Sequence, residues 1–135
     1  MSEPPLKRRA TRPVGQRGEA FASAYLEASG YRILARNWRH GRLGEIDLIV
    51  QPLNQPDLHV FVEVKTRSPQ QFQTAIDSIT PAKQRRMGRL ALAYLSGSGQ
   101  ADLTIRFDVL LVGLPPAGSL EPPQIQHFIN AFQPG

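Results

Sequence analysis

Glu63 and Lys65, separated by one valine, close the largely apolar run Leu58-His59-Val60-Phe61-Val62-Glu63-Val64-Lys65, and Asp47 sits inside a second such run, Glu45-Ile46-Asp47-Leu48-Ile49-Val50. Both runs read as strands, in which successive side chains alternate between faces. Phe61, Glu63 and Lys65 then share one face and Val60, Val62 and Val64 the other, while Glu45 and Asp47 point opposite to Ile46, Leu48 and Val50. The aliphatic sets want the core, so the charged sets are expected to converge on the other, exposed face. Cross-strand neighbours carry Cβ atoms about 4.5–5.5 Å apart, so Asp47 and Glu63 can share one cation if the register sets them opposite each other. Two ionised carboxylates repel, and a bound Mg²⁺ or Mn²⁺ relieves that repulsion. Such an ion lowers the pKa of a bound water and clamps a phosphate oxygen. Lys65 can position the water or steady a pentavalent phosphate. These are the parts that phosphodiester hydrolysis needs. The competing reading is a surface salt-bridge network of Glu63, Lys65 and Asp47, because Glu-x-Lys alone is a weak motif.

The elements that must position these residues follow from periodicity and punctuation. Ala20, Phe21, Ala24, Tyr25 and Ala28 recur at helical spacing, which predicts a first helix over Gly15 to Ser29 carrying Glu19, with Gly30 as its stop. Tyr31 to Asn37 is expected as a strand and Trp38 to Gly44 as a turn. Glu45 to Gln51 and Leu58 to Lys65 are expected as neighbouring antiparallel strands joined through the proline-bearing loop Pro52 to Asp57. Thr66 to Gln73 is polar. Thr80 can cap a helix with Pro81 in its first turn, running to about Ser96 with Met87, Leu90, Ala91, Tyr94 and Leu95 as its buried stripe. Leu103 to Val112 reads as a central strand, and Ile125 to Phe132 as a final strand or helix. Residues 1–13, with three prolines and four cations, are expected as a flexible basic arm, and residues 14–135 as one domain.

Composition narrows the function classes. The chain of 135 residues contains no cysteine, which excludes disulfides, thiolate zinc sites and a thiol nucleophile, and its three histidines lack zinc spacing. No apolar run approaches the roughly 18–20 residues of a membrane span, so a cytoplasmic protein is expected. The net charge of +5 is uneven: residues 1–89 hold 15 of the 16 Lys/Arg and 8 of the 11 Asp/Glu. A basic region of this kind suits phosphate binding, with plain solubility as the alternative. Lys83, Arg85, Arg86 and Arg89 lie on the polar side of the Pro81 helix, with no acid between Pro81 and Tyr94, and read as a phosphate-tracking face. Arg17 and Arg67 are further candidates to hold a phosphate. Glu45 is expected either to support the site behind Asp47 or to partner an arginine, and Asp108 to serve as a structural hydrogen-bond acceptor. Trp38 can stack on a base, although a lone tryptophan beside a strand more often belongs to the core or its rim.

The whole pattern resembles a known family. Gly15-Gln16-Arg17-Gly18-Glu19 opening a helix, then Gly30-Tyr31-Arg32-Ile33-Leu34, Arg36-Asn37, Gly44-Glu45-Ile46-Asp47-Leu48-Ile49 and Phe61-Val62-Glu63-Val64-Lys65-Thr66-Arg67 are similar to the YraN-like family, with Arg106-Phe107-Asp108-Val109 and Asn130-Ala131-Phe132 fitting its later segments. That family is similar to the restriction-endonuclease-like PD-(D/E)xK superfamily and, within it, to archaeal Holliday-junction resolvases. The resemblance implies an α/β fold with a mixed four- to five-stranded sheet flanked by helices. It implies catalytic roles for Glu19, Asp47, Glu63 and Lys65, with Glu19 completing the metal shell of Asp47 and Glu63. It also implies a homodimer by analogy with the resolvases. Ile46 replaces the motif proline. Gln84 resembles a glutamine of some exonuclease relatives, but Met87 and Gly88 stand where their tyrosine is expected. The expected function is a Mg²⁺- or Mn²⁺-dependent endonuclease acting on DNA, branched or damaged. The alternative is a non-catalytic nucleic-acid-binding protein on the same fold.

Overall fold

The computed structural model describes residues 6–67, 79–100 and 102–134, with side chains from residue 16 onward. The elements are α1 (Leu6–Ala28), β1 (Tyr31–Arg39), β2 (Glu45–Pro52), β3 (Leu58–Arg67), α2 (Pro81–Ser98), β4 (Thr104–Gly113) and β5 (Gln124–Phe128). The five strands form one mixed sheet in the order β1-β2-β3-β4-β5. Its pairs are antiparallel except β3 with β4, which run parallel. Parallel neighbours need a long crossover, and α2 lies within it. The α/β class with a mixed sheet and flanking helices is as the sequence predicts. The final element is a strand, because it completes the hydrogen-bonding edge of β4.

Both faces of the sheet are covered. Ala22 and Leu26 of α1 pack on Leu48, Val50, Val60, Val62, Leu110 and Val112. On the opposite face Met87, Leu90 and Ala91 of α2 pack on Ile46, Ile49, Phe61 and Phe107. This corrects two expectations. Strict alternation fails in β2, where Ile46 joins the α2 cluster while Leu48 and Val50 join the α1 cluster. The ladder from β2 to β3 extends only as far as Leu48 opposite Val62, and beyond it β2 is paired on its β1 side alone. Nor does the charged set lie on an exposed face, since Glu63 is only 6% exposed.

Helix ends follow local chemistry. Thr80 caps α2 by accepting the Lys83 N–H at 3.2 Å, with Pro81 behind it where a missing N–H costs nothing. At its start α1 reaches back to Leu6 rather than Gly15: Leu6 to Ala10 are strong helix formers, whereas Pro13 within the helix lacks the N–H for an intrahelical bond. Trp38, expected in a turn, is the penultimate residue of β1, and the turn is confined to the residues around His40 and Gly44.

A buried polar cluster ties the distal edge of the sheet together. Asp108 is wholly buried, as a structural acceptor should be, and takes both an Nε and an Nη2 bond from Arg106 at 2.9 Å. The Asn130 N–H donates to it at 2.9 Å, and His127 Nε2 lies 2.7 Å away. Burial alone would raise its pKa, but the bonds to His127, Arg106 and Asn130 outweigh burial and hold it below the ordinary carboxylate value. Among the described residues no helix is long and apolar enough to cross a membrane.

Candidate active site

The site forms where β2 and β3 part. Continuing the register from Leu48–Val62 brings Asp47 opposite Glu63, but the backbone ladder has stopped there. The Asp47 side chain takes over: its Oδ2 accepts the Val64 N–H at 2.8 Å, supplying the acceptor that the neighbouring strand no longer provides. Glu63 follows Phe61 on the α2 face of β3, and the N-terminal turn of α2 brings Lys83 down onto it. Lys83 Nζ lies 2.5 Å from Glu63 Oε2, and Lys65 Nζ lies 3.4 Å from the same oxygen. Two carboxylates and two ammonium groups therefore share one largely buried corner of the sheet.

Their protonation reflects that crowding. Burial, reinforced by the charge of Glu63, pushes the Asp47 carboxyl up to about 7, against the pull of the Val64 N–H. Burial also lowers Lys65, and the neighbouring Lys83 lowers it further. Burial acts the same way on Lys83, but its bonds to Glu63 and Lys65 and the nearby carboxylate charges outweigh it, so its pKa is raised. Glu19, half-buried on α1, is raised by burial and by the charges of Glu45 and Glu63, while a hydrogen bond with Asn37 works against the rise. Glu19 thus faces the acid pair electrostatically. Among the described residues, however, no three His, Cys, Asp or Glu side chains are gathered closely enough to hold a metal by themselves. The donor set still suits a hard divalent ion. Mg²⁺ takes oxygen ligands and is commonly held by one or two carboxylates, with water and substrate phosphates completing the shell.

The basic residues separate into two groups. Lys83, grouped by sequence with the phosphate-tracking arginines, is inside the acid pair's corner. Arg85 and Arg86 are exposed on α2, and Arg17 is exposed on α1. Arg86 lies over the β1–β2 turn: a Cβ at Gly44, whose φ is +132°, would stand 3.4 Å from Arg86 Cδ. Arg67 is half-buried at the end of β3 and donates to the Thr66 carbonyl at 2.8 Å. Glu45 pairs with Arg39 at 3.1 Å, the second of the two roles expected of it.

Sequence reasoning missed Lys83 and Asn37 as neighbours of the acids. The signal for Lys83 was present: it stands four residues before Met87 and seven before Leu90, in line with the apolar stripe of α2. Asn37 adopts a left-handed φ of +50°, a conformation that asparagine tolerates better than most residues.

Residues 18–112 match the profile described as "Uncharacterised protein family UPF0102". A UPF0102 protein of Symbiobacterium thermophilum is 47% identical over 121 residues, spanning 90% of this chain and 99% of that protein. One from Moorella thermoacetica is 49% identical over 100 residues, spanning 74% and 80% respectively. One from Geobacter sulfurreducens is 41% identical over 120 residues, spanning 89% and 88%. Among solved structures, Pyrococcus furiosus SfsA in complex with Ca²⁺ aligns over 88% of this chain and 63% of that one, at 15% identity and a TM-score of 0.32. The family profile opens at Gly18 beside Glu19 and runs past Asp47, Glu63, Lys65, Lys83 and Asp108; the chain belongs to UPF0102, the family of YraN-like proteins.

Proposed function

We propose that this protein is a divalent-metal-dependent endonuclease that hydrolyses phosphodiester bonds in nucleic acid, DNA in particular. The observation that carries the reading is the meeting of Asp47, Glu63 and Lys65 where β2 and β3 part, with Asp47 Oδ2 fixed 2.8 Å from the Val64 N–H. Asp47 and Glu63 would hold the ion, with Glu19, whose charge acts on Asp47, contributing through water. When bound, such an ion supplies Lewis-acid charge against a phosphate oxygen and makes water more acidic. Lys65 stands beside Glu63 and would meet the negative charge that grows on the phosphate oxygens in the transition state. Lys83 holds the Glu63 carboxylate from the helix side. Arg86, Arg85, Arg17 and Arg67 would take the phosphates on either side. One observation favours a second reading, a non-catalytic nucleic-acid binder: Lys83 and Lys65 already supply the countercharge that Glu63 needs.

The test is cleavage of a panel of branched, duplex and single-stranded substrates with Mg²⁺ or Mn²⁺, wild type beside Asp47→Ala and Lys65→Ala. Cleavage is expected for wild type, with losses of about 100-fold or more in both variants, the scale of removing one preorganised charge from a phosphoryl or acyl transition state. DNA binding by wild type without metal-dependent cleavage of any substrate would transfer the conclusion to the second reading.

A further inference from the structure

Trp38 is the only tryptophan in the chain. It stands opposite Ile46 in the β1–β2 register, and Ile46 directly precedes Asp47. Its ring and that of His40 are nearly parallel, at 12° with centroids 6.0 Å apart. Tyr94 of α2 meets Trp38 edge-on at 5.4 Å. Beside them opens a cavity of about 480 Å³ lined by Trp38, His40, His59, Tyr94, Ser98 and Gln100, together with Ala93 and Gly97. That volume is within the range of about 300–1,000 Å³ typical of small-molecule sites. The inner wall is rigid and polar: His59 Nδ1 pairs with the Tyr94 hydroxyl at 2.8 Å, which orients the imidazole and leaves Nε2 as its remaining polar atom. The outer wall is the exposed His40. An aromatic wall with polar groups at one end suits a flat, π-faced ligand with a hydrogen-bonding edge.

We propose that this cavity receives one unstacked nucleobase of a single-stranded or branched nucleic acid, its face on the Trp38–His40 pair and its polar edge toward His59 and Gln100. The inference rests on the nucleic-acid reading above and narrows the substrate to strands that present an unpaired base. A base inside an intact duplex has both faces stacked and cannot enter. The His40–Gly44 turn joins the strand of Trp38 to that of Asp47; on it Arg42 is exposed, and Arg86 lies over Gly44. Those two cations would meet the phosphates of a strand whose unpaired base sits in the cavity and whose backbone runs toward Asp47. Stacking on aromatic side chains is indifferent to base identity, because every base has a π-face. Stacking in this site therefore selects strand state, and any preference among bases rests with the edge contacts to His59 and Gln100.

The single tryptophan makes the test direct. The full chain in EDTA, where metal-dependent cleavage is silent, is titrated with a short thymidine oligomer while Trp38 emission and the anisotropy of a labelled oligomer are followed. Saturable quenching is expected. An abasic oligomer of equal charge should bind about ten-fold more weakly, the loss of one stacked base, and should not quench. His40→Ala should weaken thymidine-oligomer binding by a similar factor of about ten while leaving abasic binding and melting temperature unchanged. Gln100→Ala, also at an exposed position, should weaken it in the same base-dependent way. Equal quenching by the abasic oligomer or by blunt duplex would overturn the proposal. So would unchanged affinity in His40→Ala, or quenching by free thymidine monophosphate at the oligomer's concentrations. Base-dependent quenching in a protein that cleaves nothing would sink the hydrolytic reading and leave the slot standing; cleavage without such quenching would do the reverse.

Discussion

Asp47 is both a backbone cap and a member of a repelling acid pair, and the two roles oppose each other. The Val64 N–H favours its ionised form, while burial and Glu63 disfavour it more strongly. In the unfolded chain an aspartate ionises near the ordinary value of about 3.9; in the folded chain Asp47 ionises at about 7. Between those values the folded state holds the extra proton, so this contribution to stability is complete below the unfolded value and is lost as pH rises through about 7. Metal-free wild type should therefore lose part of its urea midpoint between about pH 4 and pH 7 on account of this group. Asp47→Asn keeps an oxygen for the Val64 N–H and cannot ionise, so its midpoint should fall less over the same window. Parallel pH profiles for the two proteins would show that Asp47 does not carry the strain assigned to it.

The helices matter because each brings one residue to the end of the sheet. For α1 that residue is Glu19, and the closeness of the helix depends on Gly18. A Cβ at Gly18 would lie 1.9 Å from Thr66 Oγ1 and 2.9 Å from Thr66 Cβ. Replacing a helical glycine by alanine usually gains about 0.5–1 kcal/mol. Here overpacking should outweigh that gain, at about 1–3 kcal/mol. Gly18→Ala is expected to lower the melting temperature, and a Thr66→Gly background, which removes the clashing atoms, should make the same change less harmful. A Gly18→Ala protein that melts above wild type would mean that α1 does not press on β3 in this way. For α2 the delivered residue is Lys83, whose position is set by the Thr80 cap below it and by Met87 and Leu90 packed above it.

Across the whole molecule, the Asp108 cluster links parts of the chain far apart in sequence. Tyr31 of β1 accepts from Arg106 at 2.8 Å, and the Tyr25 hydroxyl of α1 lies 3.2 Å from His127 Nδ1. The Ala131 N–H reaches the Phe107 carbonyl at 2.7 Å, and Phe132 stacks on Phe107. Removing one partner from a buried charged cluster leaves the other desolvated and unpaired, a cost of about 3–5 kcal/mol. Asp108→Ala should lose stability on that scale by urea unfolding at neutral pH. Because the Asp108 pKa is depressed in the fold, its contribution is present above the ordinary carboxylate value and disappears as pH falls through the folded one. The gap between wild type and variant should therefore close in acid. A gap below about 1 kcal/mol at neutral pH would contradict the assigned role, since that is the scale of an exposed pair.

Much of this architecture is legible in the residues themselves. The order of helices and strands, the Thr80-Pro81 start of α2, its Met87-Leu90-Ala91 stripe and the antiparallel pairing that sets Asp47 near Glu63 all follow from periodicity and local capping, which act within a few residues. Tertiary structure decided which faces were covered. Periodicity shows that Val60 and Val62 seek burial, but it cannot show that the opposite face, with Phe61 and Glu63, lies under a second helix. Tertiary structure also moved Lys83 from a solvent face onto Glu63, because a side chain four residues from Met87 turns inward only where a carboxylate waits beneath it. Ile46 and Leu48 join cores on opposite faces of the sheet where β2 has left β3 beyond Val62, a break in a ladder between two strands that neither strand encodes alone. The Asp108 cluster needs Tyr25 beside His127 across 102 positions of sequence. Contacts of that range exist only once the sheet has closed, since local propensity carries no information about which distant hydrogen-bonding group will be brought within reach.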